Sequence, residues 1–191
     1  MPPRKTPLDP RKSPSQSRAR VTVEAILEGA AHILERDGIA GYNTNAVAER
    51  AGVSIGSLYQ YFPNKDALTA ALVDRETQLL IDDIGVAAGH TDTATRVRAM
   101  VRAAIAHQTR RPTLARALDL EERRLPLHER DQRVIDAVGR ALPDDGSAGV
   151  TVEDLLAIIR AVVDAAGQRG DTDPEALETR VMRAVNGYLG Q

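Results

Sequence analysis

Apolar residues recur at every third or fourth position along most of the chain, which is the spacing of one helix face. No segment alternates apolar and polar residues as a half-buried strand does. Residues 21–37 carry one such stripe, which ends at Gly38. Two short helices are expected between residues 43 and 62, and later stripes predict helices over 66–86, 93–109, 112–123, 127–142, 152–168 and 174–191. The pattern predicts an all-α fold of about nine helices.

The region from Asn43 to Lys65 has the pattern of two short helices around a tight turn. Asn43 is suited to cap the first helix and Ser54 the second, because their side-chain oxygens can accept backbone N–H groups. Gly52 lies between the helices, where the backbone needs a positive φ. Pro63 ends the second helix. This arrangement predicts a helix-turn-helix.

The second helix of this motif has an unusual predicted surface. Leu58 and Phe62 are expected to face inward, which leaves hydroxyls, an amide and aromatic rings on the rest of the helix. Such groups suit phosphates and base edges in a major groove. Gly56 weakens the helix by roughly 1 kcal/mol relative to alanine, which predicts close approach of another molecule. Lys65 lies at the start of the next helix, where a positive charge is unfavourable to the helix dipole. A phosphate bound there would interact favourably with both the lysine and the helix N-terminus.

This run resembles the tetracycline-repressor-like (TetR) family of bacterial regulators. Its pattern is roughly Thr-Thr-x-x-Ile-Ala-x-x-Ala-Gly-Val-Ser-x-Gly-x-Leu-Tyr-x-Tyr-Phe-x-x-Lys. The matching residues are Thr44, Val47, Ala48, Ala51, Gly52, Val53, Ser54, Gly56, Leu58, Tyr59, Tyr61, Phe62 and Lys65. Asn43 replaces the first Thr, and Ala46 stands where the family often has a charged residue, which removes one possible phosphate or salt-bridge contact. The motif resemblance covers about residues 21–66; beyond them it extends only to helix number and length.

The resemblance implies a dimeric, ligand-responsive transcriptional regulator, most often a repressor, that binds double-stranded DNA and is not an enzyme. It implies a three-helix DNA-binding domain over 21–65 and a helical bundle over 66–191 for effector binding and dimerisation. The residues expected to contact DNA are Asn43, Thr44, Asn45, Ser54, Ile55, Gly56, Ser57, Tyr59, Gln60, Tyr61 and Lys65. Among these, Tyr59 and Gln60 are assigned to bases, and Thr44, Tyr61 and Lys65 to phosphates.

Residues 1–20 are rich in proline, serine and basic side chains, which predicts a disordered arm. The arm either adds contacts to DNA or is a solvated leader without a role. Residues 1–65 carry a net charge of +3 and residues 66–191 one of −5. The positive charge therefore accompanies the helix-turn-helix, where DNA binding would release counterions. A sequence-nonspecific DNA-organising protein remains the alternative function.

The last two predicted helices carry more apolar surface than one core face needs, which predicts a dimer interface in a four-helix bundle. Its residues are Leu155, Ile159, Val162, Val163, Val181, Val185 and Leu189. The alternative is that both helices are buried within one chain. Only one aromatic residue, Tyr188, follows position 65, so an effector pocket is expected to be aliphatic. Met100, Met182 and His107 are the candidate effector contacts.

The remaining chemistry of the chain is sparse. It has no cysteine, which excludes disulfides and thiolate sites and fits a cytoplasmic protein. Its four histidines lack the spacing of dimetal or zinc motifs, so we expect no metal or other cofactor. The run Glu121-Glu122-Arg123-Arg124 is expected to be a solvated face with local pairing. No apolar run is long enough for a membrane helix.

Overall fold

The computed structural model describes residues 17–125, 128–142, 151–171 and 173–190. Within these ranges all regular secondary structure is helical, which confirms the predicted all-α fold. The helices are α1 (Ser17–Gly41), α2 (Thr44–Arg50), α3 (Ile55–Tyr61), α4 (Lys65–Ala87), α5 (Thr93–Arg110), α6 (Pro112–Glu122), α7 (His128–Ala141), α8 (Val152–Arg169) and α9 (Pro174–Leu189).

Helix α1 begins earlier than its apolar stripe. Residues 17–20, assigned to the basic arm from their composition, form its first turn, and residues 1–16 lie outside the described residues. Gly38 has φ 64° and ψ −169°, so the regular helix ends there as predicted. The inward positions Ile26, Ala30 and Leu34 are fully buried.

The chain divides into two compact units, Met1–Arg75 with Ala117–Leu127 and Glu76–Arg116 with His128–Gln191. In the first unit, α1 packs on α2 and α2 packs on α3. Leu58 and Phe62, which were predicted to face inward, are at most 1% exposed, and Val47 of α2 is fully buried with them. The unit that contains the motif therefore has its own apolar core.

The second unit contains two buried apolar clusters. One is formed by α5, α8 and α9, with Val101, Leu177 and Val181 among its members. The other is formed by α4, α5 and α7, with Ile84, Met100 and Val138 among its members. Helix α5 contributes to both clusters and is the central element of this unit.

The first of these clusters contains residues that the sequence predicted for a dimer interface. Of the seven residues predicted for the interface, five are already buried within a single chain: Leu155, Ile159, Val163, Val181 and Val185. Val162 and Leu189 are only partly buried against the same cluster. The surplus apolar surface on α8 and α9 is covered by α5, which supplies Val97, Val101 and Ile105. Apolar periodicity shows that a helix has neighbours, but it does not show whether they belong to the same chain.

Candidate nucleic-acid interface

The helix-turn-helix is held in place by two side-chain caps. Asn43 Oδ1 accepts the Ala46 N–H at 3.0 Å, and Asn43 Nδ2 donates to the Gly41 carbonyl at 3.0 Å. Ser54 Oγ accepts the Ser57 N–H at 3.0 Å and lies 2.8 Å from Ser57 Oγ. Both caps were predicted from sequence. Asn43 and Ser54 therefore have a local structural role in addition to any contact with DNA.

The turn between the helices has the backbone geometry that its sequence requires. Gly52 has φ 67°, a conformation that side-chain-bearing residues rarely adopt. The Val53 N–H then donates to the Ala48 carbonyl at 3.0 Å and closes the turn. The chain can thereby reverse direction within a few residues and present α3 at the surface.

One face of α3 is solvent-exposed and the other is buried. Leu58 is fully buried in the first unit, and Phe62, which follows the helix, is 1% exposed. The exposed positions are Ile55, Gly56, Tyr59 and Gln60, while Ser57 and Tyr61 are half-buried. Ile55 and Tyr59 are 37% and 40% exposed. Positions i, i+1, i+4 and i+5 of a helix share one face, so these four residues form a continuous surface.

Tyr59 is tied to the first helix of the motif. Its hydroxyl lies 3.0 Å from Thr44 Oγ1 at the start of α2. The sequence assigned these residues separately to a base and a phosphate, and nothing in a spacing of fifteen positions indicates that they meet. The bond fixes the exposed ring relative to α2, where Asn45 is also exposed.

Lys65 begins α4 and lies beside a buried tyrosine. Its ammonium nitrogen is 4.8 Å from the centroid of the Tyr42 ring. Tyr42 is 2% exposed and therefore belongs to the core. Its hydroxyl lies 3.1 Å from Thr69 Oγ1. Burial raises the pKa of the Tyr42 hydroxyl above its ordinary value, so the phenol is neutral at physiological pH.

Three charged residues lie next to this lysine in the first unit. Arg124 Nη2 donates to Asp66 Oδ1 at 2.6 Å and to Glu121 Oε2 at 2.6 Å. The hydrogen bond from Arg124 lowers the pKa of Asp66 below its ordinary value. Glu121 is 6% exposed, so this part of the acidic and basic run is buried and paired, not solvated as the sequence predicted.

A small cavity lies within the second unit and has a volume of about 40 Å³. Its walls are apolar side chains of α4, α5, α7 and α8: Leu80, Ile84, Val97, Met100, Ala104, Val134, Val138, Leu155, Leu156 and Ile159. Met100 is among them, as the predicted aliphatic pocket would require. Met182 belongs instead to the α5–α8–α9 cluster, and His107 does not line this cavity.

The described part of the chain offers neither a cluster of metal ligands nor a membrane-spanning helix. No group of three or more histidine, aspartate or glutamate residues there is arranged to hold a metal ion. No helix there has both the length and the apolar content needed to cross a membrane.

Residues 26–72 match the family model described as bacterial regulatory proteins, tetR family. A nucleoid occlusion factor, SlmA of Vibrio vulnificus, is 32% identical over 97 residues, which cover 50% of each protein. The chain therefore spans about half the length of this curated relative.

Two solved structures share the fold of this chain. FadR of Bacillus subtilis in complex with stearoyl-CoA superposes with a TM-score of 0.68 at 17% identity. The match covers 85% of this chain and 96% of the FadR chain. SmeT, the repressor of a Stenotrophomonas maltophilia multidrug efflux pump, has a TM-score of 0.66 at 21% identity, covering 89% and 91%. The likeness extends well beyond the helix-turn-helix.

Proposed function

We propose that this chain, which belongs to the tetR family of bacterial regulatory proteins, is a ligand-responsive repressor that binds a palindromic operator as a homodimer in the cytoplasm. The chain is a DNA-binding transcriptional regulator and not an enzyme. In the proposed division of labour, residues 21–65 bind DNA, and residues 66–191 bind the effector and dimerise. For residues 1–20, most of which lie outside the described residues, both alternatives are kept: an arm that contacts DNA, or a solvated leader without a role.

The exposed face of α3 carries this proposal. It combines an amide, a phenol and an apolar side chain on a short helix that is capped by Ser54 and tied to α2 through Tyr59. Gly56 adds a second argument, because a Cβ built there would meet only Ser54 Oγ, at 3.8 Å. The packing of the protein does not require glycine at this position, whereas close approach of a DNA backbone would.

We assign the exposed residues of this surface to bases and the residues around it to phosphates. Ile55, Gly56, Ser57, Tyr59 and Gln60 would face the major groove. The proposed phosphate contacts lie at helix ends and are Asn43, Thr44, Asn45, Ser54, Tyr61 and Lys65. Tyr59 and Thr44 would act together, because their hydroxyls are hydrogen-bonded.

The effector that we propose has an aliphatic part, which enters the cavity beside Met100. The lining offers neither a charge nor a ring, and FadR, which shares the fold, was solved with stearoyl-CoA. The cavity of about 40 Å³ is much smaller than a typical ligand pocket of roughly 300–1,000 Å³. Effector binding must therefore displace side chains, and Met100 is suited to this by its flexible thioether.

Helix α4 provides the proposed route from effector to DNA. It begins at Lys65 in the first unit, and its later residues Leu80 and Ile84 line the cavity in the second. A ligand that displaces these two side chains acts on the helix that carries the phosphate-binding lysine. We propose that this displacement weakens operator binding.

Selection of binding sites from random duplex DNA tests the function. We expect an enriched palindrome, because a dimer presents two recognition helices about 34 Å apart. Gln60→Ala should relax the preference at one position of each half-site, whereas Lys65→Ala should weaken binding to every sequence and reduce the salt slope by about one. Tyr59→Ala and Thr44→Val serve as a matched pair, because each removes one hydroxyl of the same bond.

The alternative function is nonspecific DNA organisation. It is favoured by the relative named a nucleoid occlusion factor. Under this function the selection would enrich no sequence, and affinity would follow salt and duplex length alone. Repeating the selection after unfolding and refolding would remove a co-purified effector, which would otherwise give the same result.

A further inference from the structure

We infer that Tyr42 is a positioning residue for DNA binding, because its ring face holds the ammonium group of Lys65 at the start of α4. The inference rests on the proposed DNA-binding function and adds to it a buried residue that would not touch DNA. The ammonium nitrogen is 4.8 Å from the ring centroid, which is within the distance of about 6 Å for cation–π attraction.

The ring is buried, and its hydroxyl belongs to a closed set of hydrogen bonds. Thr69 Oγ1 donates to the backbone carbonyl of Lys65 at 2.9 Å, which uses its single hydroxyl proton. The Tyr42 hydroxyl, 3.1 Å from the same oxygen, must then be the donor to Thr69. Thr69 is fully buried and Tyr42 nearly so. The two bonds satisfy the hydroxyl groups of Tyr42 and Thr69 in the core, while the burial of the ring holds it beside Lys65.

The carboxylate that could compete for Lys65 is already bound. Asp66 is adjacent in sequence, but its Oδ1 accepts from Arg124 at 2.6 Å. Within the described part of the chain, no carboxylate oxygen lies within ion-pair distance of the Lys65 ammonium. Tyr42 thus orders the lysine without neutralising it, so the charge remains available to a phosphate.

Holding the side chain before DNA arrives has a thermodynamic effect. A lysine that is free in solution loses rotamer freedom when it binds a phosphate, and this loss reduces affinity. A lysine already on the ring loses less. Because a phosphate contact is independent of sequence, the effect of Tyr42 should be equal on all duplexes.

Proton–carbon NMR of the free protein tests the contact. The chain has three lysines, so the Lys65 signals can be assigned by their absence in Lys65→Met. We expect ring-current shifts of the Lys65 ε-methylene in the unsubstituted chain and in Tyr42→Phe, and their loss in Tyr42→Leu. Thr69→Val is the matched control, since it changes the same core without removing the ring. Absence of the shifts in the unsubstituted chain would overturn the inference.

A double-mutant cycle tests the effect on DNA. Affinity for a fluorescein-labelled duplex pool of random sequence is measured by anisotropy over a range of salt concentrations. Tyr42→Leu should weaken binding roughly two- to fivefold per protomer, and Tyr42→Phe should not. In the Lys65→Met background, Tyr42→Leu should cause no further loss. An equal loss in both backgrounds would show that Tyr42 acts only through the fold and would overturn the inference.

The binding measurements distinguish failure of this inference from failure of the proposed function. Binding that depends on Lys65 but not on Tyr42 would overturn this inference and leave the proposed function intact. Absence of duplex binding by the unsubstituted chain would overturn both. Circular dichroism at each step distinguishes a folded variant from an unfolded one. If Tyr42→Leu does not fold, the presence or absence of the Lys65 ring-current shifts in the unsubstituted chain still decides the inference.

Discussion

Gly56 is the residue at which stability and DNA binding are expected to conflict. The space around it is open, so Gly56→Ala should fit the free protein and stabilise α3 by up to about 1 kcal/mol. The same methyl group would stand between the helix and a DNA backbone. We therefore expect an equal or higher melting temperature together with weaker operator binding. A lower melting temperature with unchanged affinity would show that the fold, and not DNA, requires this glycine.

Individual residues differ in how far sequence could predict their roles. The caps Asn43 and Ser54 and the turn at Gly52 were predictable, because each depends on backbone groups within a few residues. The Tyr59–Thr44 bond was not, because it depends on how α3 crosses α2. The burial of Glu121 was missed, because a charged run usually indicates a solvated surface. Its pairing with Arg124, three residues later, agrees with the predicted local pairing.

Among the helices, the end of α6 is joined to the start of α4 by Arg124. Arg124→Met would leave the carboxylate of Glu121 buried without this partner, which should destabilise the chain by roughly 1–3 kcal/mol at neutral pH. Adding Glu121→Gln should restore part of the loss. Urea denaturation of the single and double variants measures both effects. An unchanged denaturation midpoint in Arg124→Met would contradict a structural role for this pairing.

The second ion pair of Arg124, with Asp66, predicts a pH dependence of stability. Because Arg124 lowers the pKa of Asp66, the pair stabilises the folded chain above the ordinary aspartate pKa of about 3.9. This contribution is lost as the pH falls through the lowered value. Both partners are partly exposed, so it should amount to less than about 1 kcal/mol. Urea denaturation in this acidic range should show a shallower loss of stability for Asp66→Asn than for the unsubstituted chain.

Helix α5 offers a matched pair of variants for the cavity. Ala104 lines the cavity, whereas Ala99 packs against the α4–α5–α7 cluster without being one of the residues that line the cavity. Ala104→Val should fill space without loss of stability and should reduce the rise in melting temperature caused by stearoyl-CoA, the proposed aliphatic probe. Ala99→Val should leave that rise unchanged. Equal responses of the two variants would place the effector elsewhere.

At the scale of helices, sequence predicted where each element lies but not what covers it. The period of apolar residues located α8 and α9 closely, since that period is a property of each helix alone. From this period Leu155 and Val181 were assigned to a dimer interface. In the structure both are buried in one cluster with residues of α5. The partner of an apolar face depends on the packing of the whole chain, which a single periodicity does not contain.

For the whole molecule, dimerisation through α8 requires residues that a single chain leaves accessible. Ala161 is exposed on this helix and precedes Val162, one of the two predicted interface residues that remain partly accessible. In the monomer the carboxylate of an Ala161→Glu variant would stay in water, whereas in a dimer through this face it would be desolvated. We expect this variant to sediment as a folded monomer.

Val163→Ala is the control on the same helix. Val163 lies two positions after Ala161 but is only 4% exposed within one chain. Its truncation should reduce the free energy of unfolding by about 1–2 kcal/mol while the dimer persists. Operator affinity should follow the oligomeric state and not the stability, since a palindrome needs two copies of α3. Ala161→Glu should therefore lose far more affinity for the palindrome than for a single half-site. If Ala161→Glu sediments as the unsubstituted chain does, the outer face of α8 is not the interface.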